Sequence, residues 1–362
     1  MKKVLTVLGT RPEIIKLSPL IPLLRERFEH VLVHSGQHYS YAMDAVFFRE
    51  LALPAPDYLL AVGSASHGEQ TARMLARLEP ILLSERPDLV LVQGDTNTTL
   101  AGGLCAAKLG IPVAHLEAGG RSFNRHMPEE LNRIVVDHLA TVLLAADETA
   151  NRNLLAEGLP ASQIHVIGSS AIDAVLRNRR FAEASPILTR MEIEPGTYLV
   201  LTLHRAENTA PDRLPGMVRA LAEVAAHQRI IFPIHPRTAA ALREQGLSLA
   251  PNIHACEPLG YLDTLKLVGS ARALLTDSGG LQEEAAVLGT PALLLRNETE
   301  WRYLVDAGVH VLIGNSFESI CAGARTWLQP AALAALRAAP APIRPGASER
   351  AVAVIADQLG GR

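Results

Sequence analysis

Residues 274–295 read LLTDSGGLQEEAAVLGTPALLL. The stretch starts and ends as an apolar run of the kind that makes a buried strand. Between the runs, Ser278, Gly279 and Gly280 open a helical pattern that carries Glu283 and Glu284 in its first turn. Two such strands joined through a helix form a βαβ unit, and such units build parallel sheets covered on both faces. The strand-to-helix joint has two readings. In one, Asp277 or Ser278 caps the helix and the acids complement its dipole, worth about 0.3–1 kcal/mol each. In the other, the open N–H groups of Ser278, Gly279 and Gly280 seat a phosphate and Glu284 reaches ribose hydroxyls. A helix dipole alone does not hold a diphosphate, so the second reading needs cations, and Arg11, Lys16 and Arg205 all follow strand-like runs.

Outward from this unit the pattern repeats. TYLVLTLHRAEN, RIIFPIHPRT, NIHACEP and VHVLIG complete one series of strands interleaved with helical stretches. KVLTVL, HVLVHSG, DLVLVQGD and IPVAHLEAGG form an earlier series, with a helix expected around IIKLSPLIPLLRERF. The chain therefore reads as α/β, with two Rossmann-like doubly wound domains at 1–172 and 173–345 meeting near VIGSSAIDAVLRNRR. Pro340, Pro342 and Pro345 break the chain before a last helix within 346–362, expected to pack back on the first domain. A length of 362 residues suits two hydrophobic cores.

Composition narrows the function classes. With 48% hydrophobic and 4% aromatic residues the chain is built from Ala, Leu, Val and Ile, and it is not a disordered sequence. A net charge of −3 supplies no basic field, so no nucleic acid and no membrane is expected as a partner. Cys105, Cys256 and Cys321 are scattered, without a CxxC pair, and read as reduced thiols of a cytoplasmic protein. The apolar run near the N-terminus is too short for a signal-peptide core, and no stretch of 18 apolar residues follows.

In open parallel sheets ligands bind beyond the carboxyl ends of the strands, so polar residues ending strands in both series are expected to face one interdomain cleft. GTRPEIIK places Pro12 in a first helical turn and Arg11 and Lys16 within reach of an anion; it is neither a P-loop nor a GxGxxG. Asp95 in VQGDTNTT, Glu117 in HLEAGG and Glu129 in MPEELNR form a set of acids suited to proton transfer. Structural readings exist for two of them: Asp95 as a helix cap, and Glu129 with Glu130 as first-turn acids behind Pro128. Glu117 at the end of an apolar strand needs a partner or a purpose, with Arg121 or His115 the nearest candidates. His204 and His235 end strands of the second series, without the HExxH spacing of a zinc pair, and no metal site is expected.

Taken in order, GTRPEIIK, GQHY, GDTNTTLAG, HLEAGGRSF, MPEELNR, LHRAEN, HPRT, TDSGGLQEEA and ETEW resemble the non-hydrolysing UDP-N-acetylglucosamine 2-epimerase family. The resemblance implies two Rossmann-like domains in a GT-B arrangement and inversion of C2 of a UDP-2-acetamido sugar. It implies no NAD and no catalytic metal, so no cofactor, and a homodimer. UDP would be eliminated to leave a 2-acetamidoglucal, then returned as a proton reaches the other face of C2. On this likeness Asp95, Glu117 and Glu129 are the acid–base groups, with His204 at the diphosphate. Arg11, Lys16, Arg121, Arg205, His235, Ser278, Gly279, Gly280, Glu284 and Trp301 hold the UDP-sugar. General base catalysis contributes about 10²- to 10⁴-fold, roughly 3–5.5 kcal/mol, so diphosphate stabilisation and domain closure are expected to supply the rest. Two departures concern the substrate and a third concerns regulation. TEWRY stands where TERPE is common, placing Trp301 and Tyr303 as in relatives that act on 2,3-diacetamido glucuronates; EAGGR replaces EAGLR; and QHYSYAMD departs from the form linked to activation by a second UDP-sugar. A hydrolysing epimerase and a GT-B glycosyltransferase are the competing classes.

Overall fold

The computed structural model of the chain describes residues 1–37 and 41–360. His38 and Tyr39 of GQHY, with Ser40, lie outside them. The chain divides into two compact units, Met1–Ala174 with Arg344–Arg362, and Val175–Ile343.

The first unit holds a seven-stranded sheet of β1 (Lys3–Leu8), β2 (Glu29–His34), β3 (Tyr58–Leu59), β4 (Leu89–Gln93), β5 (Val113–Ala118), β6 (Val142–Ala145) and β7 (Ile164–Val166). Its order is β3-β2-β1-β4-β5-β6-β7, and every pairing is parallel. All five residues of β4 and all four of β6 are buried, as strands covered on both faces require. The second unit repeats the plan with β8 (Tyr198–Thr202), β9 (Arg229–Pro233), β10 (Ile253–Cys256), β11 (Ala273–Thr276), β12 (Ala292–Leu294) and β13 (His310–Leu312), in the order β10-β9-β8-β11-β12-β13. Both sheets are doubly wound and Rossmann-like. Their topological switch points lie between β1 and β4 and between β8 and β11.

Two local features differ from the sequence reading. The helix expected across IIKLSPLIPLLRERF is two helices, Arg11–Leu17 and Leu20–Arg27; Ser18 and Pro19 keep helical backbone, but Pro19 has no N–H to continue the hydrogen-bond ladder. The edge strands β3 and β7 lack the apolar run of the central strands, being two and three residues long with no fully buried position. The last helix, Ala347–Gly360, packs on helix Leu20–Arg27 in the first unit. Ala347, Ala351, Ile355 and Leu359 are buried along it at a spacing of four, which keeps one face inward. Burying Ile355 and Leu359 contributes about 1.5–3 kcal/mol each.

Candidate active site

Two loops flank the switch point of the first sheet, one entering helix Arg11–Leu17 after β1 and one entering helix Asn97–Lys108 after β4. The buried carboxylate of Glu13 ties them together. One oxygen accepts the backbone N–H groups of Gly9 (2.8 Å) and Thr10 (2.7 Å); the other accepts the hydroxyls of Thr96 (2.8 Å) and Thr99 (3.3 Å). Burial raises the Glu13 pKa against the pull of those donors. The helix after β4 is capped by Thr96, whose hydroxyl accepts the Thr99 N–H at 3.2 Å, so the cap role read for Asp95 is corrected. Asp95 pairs instead with Arg133 at 2.5 Å, and Arg133 also meets Glu130 at 3.0 Å. Glu130 is buried and accepts the N–H groups of Ser122 and Phe123, both at 2.9 Å. Burial would raise its pKa, but these donors and Arg133 hold it below the usual carboxylate range. Glu129, at the start of helix Pro128–Leu139, is half-buried and takes no part in these bonds.

Strand β5 ends irregularly. Its register with β6 shifts between Leu116 and Ala118, and Glu117 adopts a left-handed backbone with φ 67°. For a residue with a Cβ this costs about 1–2 kcal/mol, strain of the kind that gathers at functional sites. The Glu117 carboxylate accepts from Lys16 Nζ at 2.7 Å on one oxygen and from Ser170 Oγ at 3.2 Å on the other.

The partners expected for Glu117 serve Asp137 instead. His115 Nδ1 lies 2.6 Å from Asp137 and its Nε2 lies 2.8 Å from the Gly94 carbonyl. Both ring nitrogens face oxygen acceptors, an arrangement that favours the doubly protonated ring. Burial alone would lower its pKa, but the Asp137 charge together with the hydrogen bonds to Asp137 and the Gly94 carbonyl raises it. Arg121 meets Asp137 and Glu157, each at 2.7 Å, with its side chain only 1% exposed. Its side chain, expected among the substrate-binding residues, is committed here to a buried ion-pair cluster. Arg11 lies 5.3 Å from the ring centroid of Phe47.

In the second unit the switch point is again tied by a buried carboxylate. Asp277 accepts the backbone N–H of His204 (3.0 Å) and Arg205 (2.9 Å) and the side-chain amide of Asn208 (3.1 Å). Burial would raise its pKa, but His204 and the backbone donors hold it below the usual value. His204 Nδ1 lies 2.9 Å from Asp277, which orients the 41% exposed imidazole and leaves Nε2 as its outward nitrogen. Arg205 Nε donates to the Asp277 carbonyl at 3.0 Å, and a terminal nitrogen reaches Glu300 at 3.4 Å. His235 is the N-cap of helix Pro236–Glu244, its Nδ1 accepting the Arg237 N–H at 3.1 Å, so one face of the ring is committed to the fold.

The joint that opened the sequence reading has no side-chain cap. Gly279 is the N-cap of helix Gly280–Leu288, and neither Asp277 nor Ser278 fills that role. Only Glu283 lies in the first turn, where it accepts the Tyr303 hydroxyl at 2.9 Å; Glu284 sits one residue further on. The two glycines have separate reasons. A Cβ on Gly279 would lie 2.7 and 2.8 Å from the Trp301 ring, whereas a Cβ on Gly280 would meet nothing within 4 Å. Trp301 thus packs over the loop backbone. Buried Gln282 locks the arrangement by donating to the Ser278 carbonyl (3.0 Å) and accepting the Thr299 hydroxyl (2.6 Å), and Thr299 in turn accepts the Trp301 N–H at 3.2 Å.

Chemically, the first unit presents a strained carboxylate with an ammonium partner, beside a carboxylate–guanidinium pair on the adjacent strand end. The second presents an uncapped helix N-terminus with an oriented imidazole and a guanidinium. Among the described residues, no group of three or more His, Cys, Asp or Glu could hold a metal ion, and no helix is long and apolar enough to cross a membrane.

Residues 23–356 match the family described as UDP-N-acetylglucosamine 2-epimerase. The chain belongs to the UDP-N-acetylglucosamine 2-epimerase family. A UDP-N-acetylglucosamine 2-epimerase of Methanocaldococcus jannaschii is 47% identical over 329 residues, covering 88% of this chain and 90% of that one. A UDP-2,3-diacetamido-2,3-dideoxy-D-glucuronate 2-epimerase of Pseudomonas aeruginosa is 41% identical, covering 90% and 92%. Among solved structures, the M. jannaschii UDP-GlcNAc 2-epimerase in complex with UDP-GlcNAc and UDP matches at 44% identity with TM-score 0.85, covering 98% of this chain and 99% of that one. The Neisseria meningitidis UDP-GlcNAc 2-epimerase bound to UDP-GlcNAc matches at 32% identity with TM-score 0.87, covering 98% and 100%. The chain is therefore an epimerase, an isomerase by class.

Within this epimerase, sequence reasoning passed over Arg133 and Ser170, which help to organise the candidate site, whereas Glu13 is legible as an acid just beyond a strand end. Arg133 follows Glu129 and Glu130 by one helical turn, a spacing that signals side-chain pairing. Glu13 sits at the third helical position behind Gly9 and Thr10, where an acid reaches back to open N–H groups. Ser170 carries no local signal, because its partner Glu117 lies 53 residues earlier.

Proposed function

We propose that this epimerase is non-hydrolysing and inverts C2 of a UDP-2-acetamido sugar, with UDP-GlcNAc and UDP-ManNAc as the default pair. The observation that carries the reading is Glu117, a carboxylate held on strained backbone at a strand end with Lys16 at 2.7 Å. On this reading a carboxylate of the Asp95, Glu117 and Glu129 set takes the proton from C2. The C1–O bond to the diphosphate breaks, its electron pair leaves with UDP, and a C1=C2 double bond remains in a 2-acetamidoglucal. UDP then returns to C1 as a proton is delivered to the opposite face of C2, so atoms and electrons balance without an oxidant.

The acid–base groups account for about 10²- to 10⁴-fold. The remaining stabilisation falls to cations and dipoles aimed at the departing diphosphate: Arg11, His204 and the uncapped N-terminus beginning at Gly280, with Glu284 on the ribose. Orientation of His204 by Asp277 supports this role, since the ring is held with one nitrogen outward. A uronate bearing two acetamido groups is the second reading. It is favoured by Trp301, whose ring covers Gly279, and by Tyr303 on Glu283, both within the TEWRY stretch. In either case the product is an amino-sugar donor of the kind surface-polysaccharide assembly consumes.

The test is incubation of the purified protein with UDP-GlcNAc in D₂O, followed by proton NMR. A UDP-ManNAc signal with deuterium at C2 is expected. Conversion of the diacetamido glucuronate but not of UDP-GlcNAc selects the second reading, and release of free sugar from either removes the non-hydrolysing one.

A further inference from the structure

Glu117 is held from two sides. Lys16 takes one carboxylate oxygen; the other accepts from Ser170 Oγ at 3.2 Å, and Ser170 is itself 2% exposed. Ser170 is the first residue of helix Ser170–Ala182, directly after the β7 loop. That loop is clamped by the far end of the chain. Arg350 Nε donates to the Ile167 carbonyl at 2.6 Å. Asp173, one turn into the Ser170 helix, accepts the backbone N–H groups of Gly346 at 2.8 Å and Ser348 at 2.7 Å. The first turn of the last helix therefore grips the segment on both sides of Ser170. All of these residues belong to the first unit.

We infer that Ser170 is a positioning residue for Glu117, and that the first turn of the C-terminal helix, through Asp173 and Arg350, sets where Ser170 stands. The physical need is clear from the backbone. A glutamate on a left-handed, bulged strand end has lost the pairing that would fix its direction, and a carboxylate gripped on one of its two oxygens still pivots about that contact. A second donor on the other oxygen removes the pivot, and proton transfer at C2 depends on this aim. A hydroxyl suits the task better than a second cation, because it directs the carboxylate without adding charge. The inference rests on the reading of Glu117 as an acid–base group.

The experiment compares steady-state kinetics of Ser170→Ala, Ser170→Cys and Ser170→Thr with the wild type and Glu117→Gln, on the full chain, with melting temperature measured for each. Loss of one hydrogen bond to a charged group is expected to lower kcat about ten-fold in Ser170→Ala, with KM within about two-fold. Ser170→Cys keeps the volume but is a weak donor, so it follows Ala and stands in if the Ala variant does not fold. Ser170→Thr restores kcat. Asp173→Asn lowers kcat on its own and adds nothing in the Ser170→Ala background, because both act through the same carboxylate. Wild-type kcat in Ser170→Ala and Ser170→Cys, alongside an inactive Glu117→Gln, overturns the inference while leaving the acid–base reading intact. Full turnover in Glu117→Gln removes that reading and the inference with it.

Discussion

Glu117 occupies backbone that favours glycine, at a strand end where a bulge has already broken the register. Its carboxylate and its backbone make separate demands, and substitution separates them. Glu117→Ala and Glu117→Gly both delete the carboxylate, so both are expected to be inactive. They differ in the backbone: Ala keeps the left-handed penalty and Gly does not, so Glu117→Gly is expected to be more stable by about 1 kcal/mol. Urea unfolding of the pair measures this, and a less stable Gly variant would remove the claim of strain. The sequence marks Glu117 as a carboxylate that needs a partner but points to the wrong ones. Lys16 lies 101 residues away, in the last turn of helix Arg11–Leu17, and only the tertiary fold brings it near. Arg121 and His115 are close in sequence but end on Asp137, because both side chains run into the core.

At the scale of elements, the loop from Asp277 to Gly280 and the segment from Thr299 to Trp301 form one piece, joined through Gln282 and the Trp301 ring. The two glycines are expected to respond differently. Gly279→Ala forces a methyl group against the Trp301 ring and is expected to cost about 1–3 kcal/mol of stability. Gly280→Ala meets open space and is a better helix former, so stability is expected to hold or rise by up to about 1 kcal/mol. If Gly280 borders the diphosphate, the same substitution weakens UDP binding. Calorimetric UDP titration beside thermal melts reads both effects, and unchanged UDP affinity in Gly280→Ala would place the diphosphate elsewhere. From sequence, SGG reads as a single cradle. Which glycine makes room for protein and which for ligand depends on Trp301, more than 20 residues on.

At the scale of the molecule, each unit carries a histidine drawn wholly or partly out of solvent, whose proton affinity changes on folding. His30 is half-buried, and desolvation lowers its pKa to about 4, below the ordinary 6.5. The unfolded chain therefore binds a proton between those values that the folded chain refuses. Stability from this group is present above about pH 6.5 and falls as pH drops toward 4, by at most about 3 kcal/mol. His310 in the second unit is also lowered by burial and acts in the same direction. His115 acts oppositely: its raised pKa gives a contribution present below its unfolded value and lost as pH rises through the folded one. Denaturant unfolding from pH 4 to 8 is expected to show stability rising steeply from pH 4 to 6.5, and less steeply in His30→Gln. An equal slope in that variant would show that His30 is not held as the neutral ring.

The alternation of doubly apolar strands with helices, repeated along the chain, determined the fold class by itself, because a parallel sheet covered on both faces leaves that pattern in any sequence that forms it. The polar residues at strand ends were legible for the same reason, since a charge closing an apolar run has few structural uses. Tertiary structure alone decided how they pair. Lys16 with Glu117, Arg133 with Asp95, His204 with Asp277 and Ser170 behind Glu117 are contacts between helices, loops and strand ends distant in sequence. Side-chain periodicity records which face of an element is buried. It carries no record of which element lies across from it, and a site assembled from loop ends consists of those crossings.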